Sequence, residues 1–203
     1  MKVSYNWLKS LVEINTTPAD LSEKLSIGGF EVESLIDCSE NVKGVVLGKV
    51  LSVVKHEDSD KLSICNVDIG SSNSLQIICG AKNVKPNIHV YVATIGAHLS
   101  AINLTIKKSE IRGVMSEGMI CSFEELGIED SSKGIAIVNE DLAFKNKLGT
   151  PGAVLLDLND YIYDLAITAN RPDGMSVVGI AREISALLET KLNIPQLKFI
   201  CKT

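Results

Sequence analysis

The chain has 203 residues, 45% of them hydrophobic and 22% charged, with a formal net charge of −5. That excludes intrinsic disorder as the overall state and leaves room for one or two domains with sizeable cores. No apolar run is long enough to span a bilayer and MKVSYNWLKSL lacks a secretory h-region, so a cytoplasmic protein with no membrane contact is expected.

The first segment reads as helical, then extended. Trp7, Leu8 and Leu11 form a short apolar helical stripe. In TTPADLSEKLSIGGF, Thr17 is a good N-cap, Pro18 suits the first helical position, and Gly28-Gly29 supplies a left-handed stop. FEVESLI alternates like a strand.

From residue 44 onward the texture changes. Six short β-branched runs recur between turn signals: GVVLGKVLSVVK, LSICNVDIG, LQIIC, HVYVATIG, INLTIK and GIAIV. Their spacing predicts a small antiparallel barrel of the OB type. After LGTPG the pattern is mixed again. YIYDLAIT is read as a strand with Tyr161, Tyr163, Leu165 and Ile167 on one face, followed by a helix burying Val177, Ile180, Ala181, Ile184, Leu187 and Leu188. NRPDG before it is read as a helix start, with Asp173 and Ser176 satisfying first-turn amides and Arg171 dispensable for the fold. An all-β insertion within one α/β domain accounts for this order better than three domains, because 39 residues alone rarely hold a core.

Charge is unevenly placed. Residues 82–112 hold Lys82, Lys85, Lys107, Lys108 and Arg112 against Glu110 alone, net +4, whereas 113–141 hold Lys133 against seven acids, net −6. A small basic face on an acidic protein suits a local anionic contact. His56, Asp58 and Asp60 match no zinc or calcium spacing, and a turn is expected there. GVMSEGM is not a nucleophile elbow; its glycines permit close backbone approach, and Ser116 can hydrogen-bond a phosphate or a base. Cys38, Cys65, Cys79, Cys121 and Cys201 are odd in number and form no CxxC pair, so buried free thiols are expected. No catalytic constellation and no metal site is found.

Taken in order, HEDSDKLSICNVDIG, IICGAKNV, VATIGAHL and KKSEIRGVMSEGMICSFEELGI resemble the tRNA-binding OB module. That module occurs in free-standing tRNA-binding proteins, some methionyl-tRNA synthetases and bacterial phenylalanyl-tRNA synthetase β subunits. The flanks MKVSYNWLKSLV, LSEKLSIGGFEVES and NRPDGMSVVGIAREISALL resemble the N-terminal domain of those β subunits, so the resemblance spans essentially the whole chain. It departs at Ser59, where the family often has Ala.

The resemblance implies an α+β class: an OB-fold β-barrel, tRNA-binding and EMAP-like, inserted into a small α/β domain. Residues 1–39 would be the first part of that domain, 40–150 the barrel, and 151–203 the second part and the start of the following region. It implies a ligase that attaches phenylalanine to tRNA using ATP and Mg2+, with its active site in an α subunit and an (αβ)2 heterotetrameric assembly. This stretch would dock phenylalanine-specific tRNA, hold no cofactor and do no chemistry. Candidate contacts within the matching motifs are Lys82, Asn83, Lys85, Lys107, Lys108, Arg112, Ser116, Glu117 and Met119. The alternatives are a purely structural packing module of the synthetase and a free-standing tRNA-binding protein.

Overall fold

The computed structural model describes residues 1–195; Cys201 and the last residues of the expected 151–203 segment lie outside the described residues. The chain divides into two compact units, one made of Met1–Cys38 and the chain from Asp160 onward, the other of Ser39–Asn159.

Strand β1 (Lys2–Ser4) leads into helix α1 (Tyr5–Leu11), where Leu8 and Leu11 are buried. Trp7, expected on the same apolar stripe, is 57% exposed instead, because Leu8 and Leu11 alone occupy the inward arc of so short a helix. Helix α2 (Pro18–Ile27) begins as its sequence demands: the Thr17 hydroxyl accepts from the Asp20 amide at 3.1 Å, with Pro18 in the first turn. The left-handed stop falls at Gly29, φ +90°. Strand β2 (Glu31–Asp37) follows.

The second unit opens with β3 (Val45–His56), β4 (Ser59–Asp68), β5 (Leu75–Cys79) and β6 (His89–Thr94). A long connection then carries β7 (His98–Leu99), β8 (Leu104–Thr105), β9 (Ser109–Ile111) and β10 (Val114–Ser116) before β11 (Gly118–Ile120). The main sheet has the order β11-β6-β3-β4-β5, antiparallel throughout. β3 serves two neighbours: its first half pairs with β6 and its second half with β4, with a register shift between Val50 and Ser52. Such a bulge bends the strand and lets the sheet curl.

The curl brings the two sheet edges together. The Glu117 amide donates to the Gln76 carbonyl at 2.8 Å, and the Ile78 amide donates to Ser116 Oγ at 3.1 Å. The result is a nearly closed OB-like barrel whose lumen holds Val50, Cys65, Val67, Ile77, Val92 and Ile120. A second cluster, built on Leu47, Tyr91, Leu99, Leu126 and Val138, lies across β3 and β6 from it.

Two of the six expected strands differ. INLTIK gives a 3-10 turn and the two-residue β8. GIAIV makes only an isolated bridge, Ile137 to Val90, because its amides go to different partners: Ala136 to the Cys121 carbonyl just after β11 and Val138 to that of His89 in β6. The strand that completes the barrel is instead β11, which begins within GVMSEGM and lies outside the six expected runs. Cys65, Cys79 and Cys121 are buried free thiols, and Cys38 is half-buried.

Helices α3 (Glu140–Lys145) and α4 (Gly152–Leu155) follow, and Gly149 to Pro151 pairs with β3, the Leu47 amide donating to the Thr150 carbonyl at 2.8 Å. Strand β12 (Tyr161–Ala166) returns to the first unit as the centre of a sheet ordered β1-β12-β2. Helix α5 (Val177–Leu188) buries Ile180, Ala181 and Ile184 against Leu8, Leu21, Leu25, Phe30 and Tyr163. Ser176 caps α5, while Pro172 and Asp173 belong to a preceding 3-10 turn. Arg171, expected to be dispensable for the fold, has a guanidinium that donates to Asp173, Glu183 and the Gly28 carbonyl and lies over the Phe30 ring.

Candidate nucleic-acid interface

In an OB-like barrel the open outer face of the second and third strands, with the turn after the first strand and the connection before the last, forms the ligand surface. Here those elements are β4, β5, the Glu57–Asp58 turn and residues 95–117. Alternation along the strands sends Ser52, Val54, Asn66 and Gln76 outward while Cys65, Val67 and Ile77 fill the lumen. With Ile64 and Glu117 the outward residues line a groove of about 380 Å³.

The 95–117 connection carries Glu117 into that groove, and with it Lys108, its ion-pair partner. β9 and β10 form a hairpin whose two-residue turn is Arg112-Gly113, with φ of +50° and +80°. Both positions of a type I′ turn need positive φ, which Gly accepts freely and Arg does not. Arg112 is held there by a long-range bond, its Nη1 donating to the Asp58 carbonyl at 2.9 Å. The hairpin tip is thereby fixed to the β3–β4 turn.

Lys108 and Glu117 form an ion pair of 2.8 Å, and the ammonium holds the Glu117 carboxyl below the usual carboxylate range. Lys107 is exposed and makes no ion pair among the described residues. Met119 is half-buried and shares a cleft with Lys107 and Ser116.

Four expected contacts are rearranged or set apart by the fold. Ser116 is buried, its Oγ accepting from Ile78 and donating to the Gly118 carbonyl, so its hydroxyl closes the barrel and is not free for a phosphate. Asn83 clamps residue 135 from both sides, donating to its carbonyl at 2.9 Å and accepting from its amide at 3.0 Å. Lys82 and Lys85 are exposed but sit on the β5–β6 connection, apart in sequence and topology from the 95–117 hairpins.

Sequence reasoning missed Lys55 and Lys61, which flank the β3–β4 turn; both are exposed, and Lys55 pairs with Asp60 at 2.5 Å. It also missed Asn66 and Gln76. The outward alternation of polar residues on neighbouring strands was the available signal. His56, set aside as a metal ligand, is buried with Nδ1 accepting from the Asp58 amide at 3.1 Å. Among the described residues no cluster of three or more His, Cys, Asp or Glu is placed to hold a metal ion, and no helix is long and apolar enough to cross a membrane.

A family model described as "Putative tRNA binding domain" matches residues 45–146. The whole chain is 84% identical to a quarter of the phenylalanine–tRNA ligase beta subunit of Prochlorococcus marinus subsp. pastoris (strain MED4), covering 100% of this chain and 25% of that protein. The same subunit in Synechococcus sp. (strain CC9902) is 54% identical over 97% of this chain and 24% of its own length. Thus the chain spans about a quarter of the length of these relatives. Among solved structures, a MetRS-related protein from Pyrococcus horikoshii matches at 17% identity and a TM-score of 0.38, covering 68% of this chain and 98% of that one.

Proposed function

The chain belongs to the tRNA-binding domain family, and from that premise we propose that it is the tRNA-docking part of a phenylalanine–tRNA ligase β subunit, working by electrostatic and shape recognition. One observation carries the reading. The barrel's long connection is pinned by Arg112 to the β3–β4 turn, which Lys55 and Lys61 flank, and Lys108 reaches the strand-face groove through its ion pair with Glu117.

These cations would neutralise phosphates of a folded tRNA, while Asn66 and Gln76 offer hydrogen bonds to backbone or base edges. The chain has only nine aromatic residues (four Phe, one Trp, four Tyr), too few for a broad stacking platform, which favours recognition of RNA shape. The residues 40–150 region is the docking domain in this proposal. The remaining proposals concern the larger enzyme: aminoacylation of phenylalanine-specific tRNA, an α-subunit partner in an (αβ)2 assembly, and ATP and Mg2+ as cofactors acting outside this stretch. This stretch holds the RNA and does no chemistry.

Titration of fluorescent bulk tRNA into the 203-residue chain over a salt series tests this. At most five phosphate contacts give a slope of roughly −3 to −4 in log K against log salt. Absence of salt-dependent binding would leave the second reading, a packing module, which the pairing of Lys108 with Glu117 favours.

A further inference from the structure

We propose that the cleft between β8, β9 and β11 is a pocket for one unpaired nucleobase of the docked RNA, a subsite that rests on the docking reading. The cleft measures about 280 Å³ and is walled by Ile78, Leu104, Ile106, Ile111 and Met119, with Lys107 at its rim. Pockets for drug-sized ligands run from ~300 Å³ upward, so this one suits a single nucleoside and little more. Aliphatic side chains and a thioether contact the faces of a flat ring, and methionine adapts its shape to what enters.

Charge decides between this cleft and its neighbours. The cleft of about 390 Å³ beside Cys79 is lined by Glu124 and Glu125, and the one beside Gly127 by Glu124, Glu129 and Asp130. By contrast, the β8–β9–β11 cleft has Lys107 as its one charged lining residue and no acid. A base arrives tethered to phosphate, so an apolar chamber with a cation at its mouth complements a nucleotide, and an acidic rim repels it. The Thr105 and Ser109 hydroxyls add polar groups for a base edge. Helical RNA stacks and pairs its bases, leaving only loops, bulges and ends to supply the occupant.

The pocket therefore adds a preference for unpaired RNA to a phosphate attraction that has none. Two RNA duplexes of equal length and phosphate count, one fully paired and one mismatched at its centre, compete against labelled bulk tRNA for the 203-residue chain. The mismatched duplex is expected to compete about tenfold better. Leu104→Asn, at a position 41% exposed, is expected to abolish that preference without altering the unfolding midpoint or the affinity for the paired duplex. Lys107→Ala should weaken both duplexes alike. A mismatched duplex that fails to out-compete the paired one, or a preference that survives Leu104→Asn, overturns the pocket while tRNA binding itself stands. Loss of tRNA binding by the unmodified chain at every salt concentration overturns the docking reading, and the pocket with it.

Discussion

Lys108 Nζ and Glu117 Oε1 lie 2.8 Å apart, an ion pair that spans the β9–β10 hairpin, while the adjacent Lys107 has no ionic partner among the described residues. Both members are substantially exposed, so the pair contributes little to stability. Its consequence is for binding: Glu117 competes with RNA phosphate for Lys108.

Lys107→Ala should therefore weaken tRNA binding more than Lys108→Ala. A drop of about fivefold and a salt slope shallower by about one unit are expected for Lys107→Ala. Glu117→Gln should strengthen binding about threefold at low salt, an advantage that fades as salt rises. Fluorescence titrations at four salt concentrations check the order. Should Lys108→Ala and Glu117→Gln both bind like the parent, Lys108 lies off the interface.

Arg112 offers a cleaner separation of fold from function. Its φ of +50° is strained for a side chain, and the bond to the Asp58 carbonyl offsets that strain. Arg112→Gly removes strain and bond together, so the unfolding midpoint should stay near the parent value. tRNA affinity should fall several-fold, because a cation is lost and the hairpin is no longer tied to the β3–β4 turn. A large drop in the midpoint would show that the guanidinium bond holds the barrel together and does not merely aim it.

The barrel unit sets its own limits. A piece ending at residue 148 loses the Thr150 carbonyl that accepts from Leu47 and the Val46–Pro151 bridge. Residues 39–159 should show one cooperative thermal transition and retain tRNA binding, and residues 42–148 should melt lower. Equal midpoints for the two pieces would make the 149–151 pairing energetically idle.

Much of this fold can be read from residues. Thr17-Pro18 fixes the start of α2 through a side-chain acceptor and a preset φ, both local causes. β3, β4 and β5 announce themselves by β-branched runs between turn residues. β11 does not, since GMI is three residues long and is a strand only because β6 and the closing edge of β5 surround it. The basic run at Lys107, Lys108 and Arg112 was equally plain. Hidden were the burial of Ser116, the clamp made by Asn83 on residue 135, and the neutralisation of Lys108 by Glu117. Each depends on barrel closure, which joins residues by tertiary contact and leaves no periodic trace in the chain.

His89 gives the barrel an acid-side pH dependence. Burial first, then the Lys49 ammonium, lower its pKa, and Glu140 only partly opposes them. As pH falls through about 6.5 the unfolded chain takes up the proton before the folded one. Stability should thus decline with falling pH below about 6.5 and be insensitive to this group above it. Thermal midpoints between pH 5 and 7.5 for the parent and His89→Gln test this. The variant should show a flatter acid limb, and parallel curves would assign the slope to other groups.

Arg171 closes the first unit from one side. Its Nη2 donates to Glu183 Oε2 at 2.7 Å and Asp173 Oδ2 at 3.0 Å, its Nη1 donates to the Gly28 carbonyl at 3.1 Å, and its Cζ stands 4.1 Å from the Phe30 ring centre. One planar fork thus joins the end of α2, the 3-10 turn before α5, and α5 itself, and it covers a buried aromatic. Lysine, a point charge without a fork, cannot make all of these contacts together. Arg171→Ala and Arg171→Lys should both lower the unfolding midpoint by several degrees, Ala more than Lys. Ile184→Asp, which puts a charge into the same core, should unfold the unit outright at a cost of several kcal/mol. Because the proposed RNA surface lies wholly on Ser39–Asn159, tRNA affinity of folded Arg171→Lys should stay within about twofold of the parent. Circular dichroism melts paired with tRNA titrations decide it: a variant that melts like the parent yet loses most of its tRNA affinity would make Arg171 an RNA contact and not a clamp.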